Sequence, residues 1–274
     1  MQGCPLSCQW CCNPESRYTY PVIMKRDAKC TQCGSCVKAC PVHAITMDEE
    51  RGRRIDFGLC THCGECAYVC PSGAIVVSGK YMTVEEVVSV VERDRLFYQN
   101  SGGGVTISGG EATMQPEFVL QLLKVLKGRG LHTALDTCGQ VSWSILGELV
   151  NHASLVLYDI KHMDTEQHQV GTGRGNELIL ANAGKVAHKA RVWLRVPVLC
   201  GYNDSEENIG RLAELGKQMG VEKVSLLPYH RWGESKYEQL GMQYSWHGEE
   251  PDPNHLRDLQ VMIQGYGLTV TVGN

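Results

Sequence analysis

From about residue 80 onward, short apolar runs rich in β-branched residues alternate with longer stretches in which apolar residues recur at helical spacing. Thr83 and Glu86 form a T-x-x-E capping box that opens the first helical stretch. The pattern predicts strands near 105–108, 132–136, 154–160, 191–198, 223–228 and 268–272, and helices near 116–128, 142–151, 176–189, 205–219 and 253–266. Such alternation is typical of a parallel sheet built from βα units, so we expect an α/β fold.

Before residue 80 the pattern is dominated by cysteine. The run C-x-x-C-x-x-C-x-x-x-C-P occurs twice, thirty residues apart, and each copy leads into an Ala-Ile pair that predicts a short apolar strand. The copies are Cys30, Cys33, Cys36, Cys40 and Pro41, and then Cys60, Cys63, Cys66, Cys70 and Pro71. This is the bacterial ferredoxin pattern, in which the fourth cysteine of each run binds the other [4Fe–4S] cluster. We therefore expect two clusters, held by a first cysteine set (Cys30, Cys33, Cys36 and Cys70) and a second cysteine set (Cys60, Cys63, Cys66 and Cys40).

Composition and charge narrow the class of protein. With 274 residues, 43% of them hydrophobic, the chain is long enough for one large α/β domain and a small insertion. Its formal charge of −4 argues against nucleic acid and anionic membranes as partners, and the charged run 48–54 predicts a solvated hairpin between the two copies. No leader and no apolar run long enough to span a membrane is visible, so we expect a cytoplasmic protein. Most of the fourteen cysteines follow metal-type spacing, which predicts a reducing compartment, and Cys138 and Cys200 are expected to be small buried hydrophobes.

A third cysteine run lies near the start of the chain. Cys4, Cys8 and Cys11, called the loop cysteines below, form C-x-x-x-C-x-x-C. Three thiolates leave one iron of a four-iron cluster open to bind a substrate. Zinc is the alternative, but structural zinc sites take four ligands. Cys12 is expected to be a neighbour rather than a ligand, because adjacent side chains point apart.

The run G-C-P-L-S-C-Q-W-C-C-N-P-E, from Gly3 to Glu15, resembles the cluster loop of radical S-adenosylmethionine (radical SAM) enzymes, particularly the activating enzymes of glycyl radical enzymes. The resemblance implies a partial (β/α)6 barrel with an inserted α+β ferredoxin-like domain that holds two [4Fe–4S] clusters. It divides the chain into the cluster loop and start of the barrel at 1–24, the insertion at 25–79, and the rest of the barrel at 80–274. Family members usually carry a segment with the first barrel strand before the cluster loop, whereas this sequence starts three residues before Cys4, so we expect either that the strand is missing or that the sequence is truncated.

Polar motifs end the first five predicted strands, where βα barrels gather their reacting groups. Gly109, Gly110 and Glu111 resemble the family's G-G-E motif, which holds the amino group of S-adenosylmethionine; a glycine turn followed by a surface glutamate is the alternative. Arg195 and His230 resemble family positions at the active-site mouth, with His230 near the adenosyl group. An ion pair for the arginine and a bond to a loop carbonyl for the histidine are the structural alternatives.

Two further strand ends carry D-T-x-G and D-x-K motifs, which resemble those of the activating enzymes. The resemblance places Asp136, Thr137 and Asp159 near a monovalent cation and pairs Lys161 with the carboxylate of S-adenosylmethionine. A zwitterionic ligand needs both an acceptor and a cation, so these residue types suit it. Capping of a helix is the alternative for Asp136.

The resemblance also implies an activity. An electron reaches the open-site cluster, S-adenosylmethionine is cleaved to a deoxyadenosyl radical, and that radical abstracts hydrogen from a backbone glycine of a partner glycyl radical enzyme. The implied catalytic residues are the loop cysteines and Lys161, and the implied cofactors are three [4Fe–4S] clusters, S-adenosylmethionine and a monovalent cation. We expect a monomer whose inserted clusters relay electrons from a donor such as flavodoxin or ferredoxin. The alternatives are a radical SAM enzyme acting on another peptide or small molecule, and a non-catalytic ferredoxin-like electron carrier.

Overall fold

The computed structural model describes residues 1–48, 50 and 52–273. The strands are β1 (Val22–Lys25), β2 (Ile45–Asp48), β3 (Gly52–Ile55), β4 (Ile75–Ser78), β5 (Val105–Ile107), β6 (Thr133–Thr137), β7 (Leu155–Asp159), β8 (Val192–Val198), β9 (Lys223–Pro228) and β10 (Val270–Val272). The helices are α1 (Ser35–Ala39), α2 (Glu65–Tyr68), α3 (Val84–Val91), α4 (Arg95–Ser101), α5 (Pro116–Gly128), α6 (Trp143–Val150), α7 (Thr165–Thr172), α8 (Glu177–Ala187), α9 (Glu206–Met219), α10 (Glu234–Gln239) and α11 (Pro253–Gln264).

The main sheet consists of six parallel strands in the order β10-β9-β8-β7-β6-β5. Each strand lies beside the next one in the chain, as expected when a helix returns the chain between successive parallel strands. All of the predicted strands and helices are present, with ends shifted by no more than two residues. The parallel α/β sheet is therefore confirmed, and the capping box of Thr83 and Glu86 opens α3 as predicted.

A continuous apolar core fixes the strands. Leu135, Val156, Leu194 and Leu226 lie on the consecutive strands β6 to β9 and are fully buried. Burying each such side chain contributes about 1.5–3 kcal/mol, so the core holds the strand ends in a defined arrangement. No helix among the described residues is long and apolar enough to cross a membrane.

Some local expectations differ from the structure. Helices α1, α2, α4, α7 and α10 were not predicted. Helix α7 is largely polar, and the signal that marks it is its cap, where Asp164 accepts from the backbone N–H of Gln167 at 2.9 Å. Cys138 is buried as expected, whereas Cys200 is only half-buried.

The insertion is built from two antiparallel ribbons, β1 with β4 and β2 with β3. Strands β2 and β4 begin at the isoleucines of the two Ala-Ile pairs, as predicted. The other two strands, β1 and β3, are also thirty residues apart, so that Ile23 in β1 and Arg53 in β3 occupy matched positions of the repeat. Strand β1 spans residue 24, the predicted end of the first segment, and the three-part division stays a prediction.

The charged run between the copies is a hairpin, but the expectation that it is solvated is wrong for Arg53. The side chain of Arg53 is only 1% exposed, and its Nη2 atom donates to Asp27 Oδ1 at 2.6 Å and to the carbonyl of Ala74 at 3.1 Å. A buried guanidinium is tolerated only with such partners. Residues 49 and 51 of the run lie outside the described residues.

Candidate active site at the loop cysteines

The segment that carries the loop cysteines is hydrogen bonded to separate elements of the main domain. The N–H of Glu111, just after β5, donates to the carbonyl of Gly3 at 2.7 Å. The N–H of Ser7 donates to the carbonyl of Thr172, the last residue of α7, at 2.8 Å. The loop is therefore fixed at the carboxyl end of the sheet, which is where parallel α/β proteins gather reacting groups.

Glycines allow this close approach. A Cβ atom on Gly110 would collide with the carbonyls of Gly3 and Ser16, and one on Gly233 would lie 2.8 Å from Cys12 Cα. Gly110 belongs to the G-G-E motif, so at least part of that motif's glycine requirement comes from packing against the cluster loop.

The thiols of the loop cysteines lie close enough for their charges to interact. Burial raises the pKa of Cys8 to about 12, and charges on Cys11 and Cys4 would raise it further, while the Lys161 ammonium lowers it. Burial also raises the pKa of Cys4. Cys4 and Cys8 therefore hold their protons at neutral pH and would release them when a metal centre binds.

A chain of charged side chains crosses the strand ends beside these thiols. Arg195 donates through Nη2 to Asp136 Oδ1 at 2.7 Å and through Nε to Asp159 Oδ1 at 2.9 Å. Lys161 Nζ donates to Asp159 Oδ2 at 3.0 Å, and Ser108 Oγ donates to Asp136 Oδ2 at 2.7 Å. The register of β7 and β8 produces this arrangement, because it sets Asp159 directly beside Arg195. Arg195 thus forms the ion pairs expected if its role is structural, and it also lies beside the other residues of the predicted site.

The protonation states follow from burial and these charges. Burial, followed by the charge of Asp159, raises the pKa of Asp136 to about 6. Burial acts to raise the pKa of Asp159, but the charges of Lys161 and Arg195 outweigh it and lower that pKa. Burial acts to lower the pKa of Lys161, but Asp159 and then Cys8 outweigh it and raise that pKa. At neutral pH the site therefore presents a fixed ammonium next to the loop thiols.

Glu111 joins the ends of β5 and β6. Its carboxylate accepts from Thr137 Oγ1 at 2.7 Å, from the N–H of Cys138 at 2.8 Å and from the N–H of Thr113 at 3.1 Å. At 2% exposure Glu111 is not the surface glutamate of the alternative interpretation. The helix-cap alternative for Asp136 is also wrong, because Asp136 lies inside β6 and Ser142 occupies the N-cap of the next helix.

Several buried polar atoms have no hydrogen-bond partner among the described residues, among them Glu15 Oε2 in the cluster-loop segment, Tyr237 Oη, Trp246 Nε1 and, next to the buried Tyr229, His230 Nδ1. Burial, and after it the charge of Cys11, raises the pKa of Tyr237, which places that phenol near the loop thiols. Buried polar groups are normally paired, so unpaired ones that line a site fit a polar ligand. Together with the three thiols, they suit an iron–sulfur cluster and S-adenosylmethionine. The alternative for His230, a bond to a loop carbonyl, is not formed through Nδ1.

An aromatic wall beside Cys8 was not predicted. Trp10, Tyr202 and Trp246 have ring centroids 5.0 to 5.8 Å apart and pack with Cys8 and the buried Tyr229. The position of Trp10 between Cys8 and Cys11 could have indicated that it lies at the site. Tyr202 and Trp246 come from distant parts of the chain, so the sequence gives no such indication for them. Such a wall excludes water from one side of the thiols.

The two cysteine sets of the insertion line two separate small pockets. The structure groups the cysteines as the crossed ferredoxin pattern does: Cys30, Cys33, Cys36 and Cys70 line one cavity, and Cys60, Cys63, Cys66 and Cys40 line the other. Four cysteine donors fit a fully ligated [4Fe–4S] cluster. Within residues 1–48, 50 and 52–273, no three His, Cys, Asp or Glu side chains converge closely enough to hold a single metal ion.

Comparison with known proteins decides the family. Residues 56–213 match the Radical SAM superfamily, and residues 29–74 match the 4Fe-4S dicluster domain. This chain belongs to the radical SAM superfamily. The choline trimethylamine-lyase activating enzyme of Oleidesulfovibrio alaskensis is 39% identical over 99% of this chain and 90% of its own length. The isethionate sulfite-lyase activating enzyme of the same organism is 42% identical over 89% of this chain and 81% of its own length.

A solved structure agrees with this assignment. The crystal structure of a domain of pyruvate-formate lyase-activating enzyme from Bacteroides vulgatus is similar with a TM-score of 0.54 and 31% sequence identity, covering 63% of this chain and 99% of that chain. The resemblance drawn from the Gly3–Glu15 run is therefore confirmed, and the chain is a radical SAM enzyme of the activating-enzyme type. The interpretation as a non-catalytic electron carrier is wrong. The roles of single residues stay predictions.

Proposed function

We propose that this radical SAM enzyme activates a glycyl radical enzyme. S-adenosylmethionine at an open-site [4Fe–4S] cluster supplies, after one-electron reduction, a deoxyadenosyl radical that takes a hydrogen atom from a backbone glycine of the partner. The observation that carries the proposal is the position of Lys161, whose ammonium is bonded to Asp159 at 3.0 Å and acts on the pKa of both Cys4 and Cys8. The relatives are named as activating enzymes, which supports the same reaction class.

The residues of this chain then have distinct tasks. The loop cysteines hold three irons of the cluster. Lys161 binds the carboxylate of S-adenosylmethionine, and Gly109, Gly110 and Glu111 form the side that receives its amino group. Arg195 holds Asp136 and Asp159 in place, and His230 offers its unpaired Nδ1 to the adenosyl group. The aromatic wall keeps water away from the reacting groups.

The proposal also covers the finer architecture and cofactors. The six parallel strands form a partial (β/α)6 barrel, and the insertion carries two ferredoxin-type clusters in the cavities of its two cysteine sets. These clusters relay electrons from a low-potential donor such as flavodoxin or ferredoxin. A monovalent cation near the carboxylates of Asp136 and Asp159 and the hydroxyl of Thr137 completes the cofactor set.

The test uses anaerobically reconstituted protein, S-adenosylmethionine, a low-potential reductant and a candidate glycyl radical enzyme. We expect the wild type and a Cys200→Ser control to produce a glycyl radical signal in electron paramagnetic resonance (EPR), and Cys8→Ser to produce none. Cys200 is a suitable control because it is half-buried and belongs to none of the three cysteine groups. Turnover of another peptide or small molecule, without a glycyl radical in any partner tested, would contradict the proposal.

A further inference from the structure

The chain connects the insertion to the main domain at one end of its β1–β4 ribbon, and the ribbon also packs against Leu240 through Val22 and Met24. The chain enters at Pro21 and leaves at Gly79, and a Cβ atom on Gly79 would lie 3.3 Å from Pro21 Cα. Val22 pairs with Ser78 at this near end, and the ribbon runs away from it toward Lys25. The two cysteine sets can therefore be placed relative to the near and far ends of this ribbon.

The second cysteine set lies at the near end. The N–H of Ile23 donates to His62 Nδ1 at 3.1 Å, and the N–H of His62 donates to Cys60 Sγ at 3.4 Å. Gly64 follows Cys63, and a Cβ on it would lie 3.3 Å from a methyl group of Val77 in β4. The second set therefore contacts the part of the ribbon closest to the main domain.

The first cysteine set lies at the far end. The N–H of Arg26 donates to the carbonyl of Ala74 at 2.8 Å, and the N–H of Ala74 donates to Cys70 Sγ at 3.2 Å. The neighbouring segment 25–28 and α10 line a shared cleft. The first set therefore lies farther along the ribbon from the chain connections at Pro21 and Gly79 than the second set does.

A short path of contacts joins the near set to the loop cysteines, whereas the first set reaches the same region by a longer route through Ala74, Arg26 and the packing of Met24 on Leu240. From Cys60 the path passes to His62, whose ring centroid lies 5.7 Å from that of Tyr18. Tyr18 follows Arg17, and Arg17 Nη2 donates to the carbonyl of Cys8 at 3.4 Å. At the matched position of the first copy stands Gln32, which has the same positive φ (57° against 54°) but is exposed.

From this placement we propose that the second cysteine set holds the cluster that passes electrons to the loop cysteines, and that the first set holds the outer cluster where electrons enter. A low-potential one-electron donor, a flavin or iron–sulfur protein, reduces the outer cluster. The outer cluster is reoxidised by reducing the inner one, and the inner one is reoxidised by reducing the loop cluster. No bond or proton changes in these steps. The proposal rests on the proposed function only in requiring a cluster at each of the three cysteine groups.

The order can be measured without a partner enzyme. In protein reduced with dithionite and loaded with S-adenosylmethionine, the EPR signal that responds to S-adenosylmethionine reports the loop cluster, and its spin relaxation is accelerated by the nearest reduced cluster. The matched pair of variants is Cys60→Ser/Cys63→Ser and Cys30→Ser/Cys33→Ser, with iron analysis to show that each has lost one cluster. We expect the first variant to slow this relaxation strongly and the second to change it little. An equal effect, or a larger effect of the Cys30/Cys33 variant, would overturn the proposal.

A second measurement covers the case in which losing one cluster unfolds the insertion. His62→Gln introduces the residue that stands at the matched position of the first copy, and Gln32→His is the reciprocal control. We expect His62→Gln to slow reduction of the loop cluster by reduced ferredoxin several-fold in freeze-quench EPR, with all cluster signals still present. Gln32→His should leave that rate close to wild type. Equal rates in His62→Gln and wild type would contradict the path through His62. A failed relaxation result leaves the glycyl radical test untouched, so the two claims can fail separately.

Discussion

The loop cysteines and the cysteine sets of the insertion differ in what surrounds their sulfur atoms. In the insertion, backbone N–H groups meet the sulfurs in a repeated pattern: Ala44 donates to Cys40 and Ala74 to Cys70, each at 3.2 Å. Around the loop cysteines, where Cys4 also has a backbone hydrogen bond with Leu6, the neighbours further include a buried ammonium, a chain of ion pairs and unpaired polar atoms. Four thiols with backbone hydrogen bonds suit a centre that only stores an electron. Three thiols beside fixed charges suit a centre that also binds a zwitterion.

The largest expected effect that separates the two regions is that of Lys161→Met. Removing a buried, hydrogen-bonded ammonium leaves Asp159 without one partner and the bound carboxylate without its cation, which costs about 2–5 kcal/mol. We expect kcat/KM for cleavage of S-adenosylmethionine to fall by about 100-fold or more, measured as deoxyadenosine formed with dithionite as reductant. The EPR signals of the insertion clusters should not change.

The control for this variant is Lys217→Met, which removes an exposed lysine of α9. It should retain wild-type cleavage. Wild-type cleavage by Lys161→Met would show that the ammonium beside the thiols is not part of the binding site.

Gly233→Ala should weaken the loop site and spare the insertion. The added Cβ would lie 2.8 Å from Cys12 Cα, so the cluster loop must move, and such overpacking costs about 1–3 kcal/mol. We expect iron content after reconstitution to fall toward that of the two insertion clusters, together with loss of the signal that responds to S-adenosylmethionine. Gly184→Ala is the matched control, because nothing lies within 4 Å of its added Cβ. Equal iron content in the two variants would show that the loop tolerates the displacement.

Arg53→Met should perturb the first cysteine set and leave the loop cysteines unchanged, the reverse of what we expect for Gly233→Ala. It removes the hydrogen bond to Asp27 and one of the two donors of the Ala74 carbonyl, which keeps its bond from the N–H of Arg26, so we expect a cost of about 1 kcal/mol. It also removes a positive charge that lowers the pKa of Cys36, so we expect the reduction potential of the first-set cluster to fall. Potentiometric EPR titration measures this shift, with the exposed Arg54→Met as control. A shift confined to the loop cluster would contradict the placement of Arg53.

The smallest expected effect is a pH dependence of stability at the loop site. The pKa of Asp136 is raised in the folded protein above the value of about 3.9 for free aspartate, so the folded state binds this proton more tightly than the unfolded state does. Ionisation of Asp136 therefore lowers the free energy of unfolding, by about 1–2 kcal/mol, as the pH rises from about 4 to about 6. The lowered pKa of Asp159 affects stability in a different pH range, because the stabilising contribution of its ionised carboxylate is lost only at more acidic pH.

Denaturant unfolding at several pH values, compared between wild type and Asp136→Asn, measures this contribution. The variant should lose the wild type's fall in stability between pH 4 and 6, and Asp258→Asn, at an exposed position, should retain it. Identical pH profiles of wild type and Asp136→Asn would contradict the raised pKa.

The two regions also differ in how far the sequence alone could predict them. Cysteine spacing in the insertion is a local signal, so the crossed pairing of Cys40 and Cys70 followed from the repeat. The strands of the main sheet followed from apolar periodicity, because a buried parallel strand is marked by its own residues. The burial of Arg53 could not be predicted, since its partners Asp27 and Ala74 lie more than twenty residues away on either side.

The loop site is assembled from residues that are distant in the sequence, so local patterns could not predict all of its members. Asn203, which is fully buried, donates through Nδ2 to the carbonyl of Lys161 at 2.8 Å and to that of Pro197 at 2.6 Å, and so positions two strand ends. Its local sequence carries no sign of that task. The contact between Trp246 and Trp10, which are far apart in the sequence, could not be predicted either, because tertiary packing rather than a local pattern brings them together.

The response of the three clusters to S-adenosylmethionine tests whether the loop cysteines are the site of the chemistry. Reduced, anaerobically reconstituted protein should show three iron–sulfur signals, of which one changes when S-adenosylmethionine is added. That one should disappear in Cys8→Ser and remain in both the Cys30/Cys33 and the Cys60/Cys63 variants. If no signal responds, or if the responding signal belongs to a cysteine set of the insertion, the loop cysteines are not the site of the chemistry.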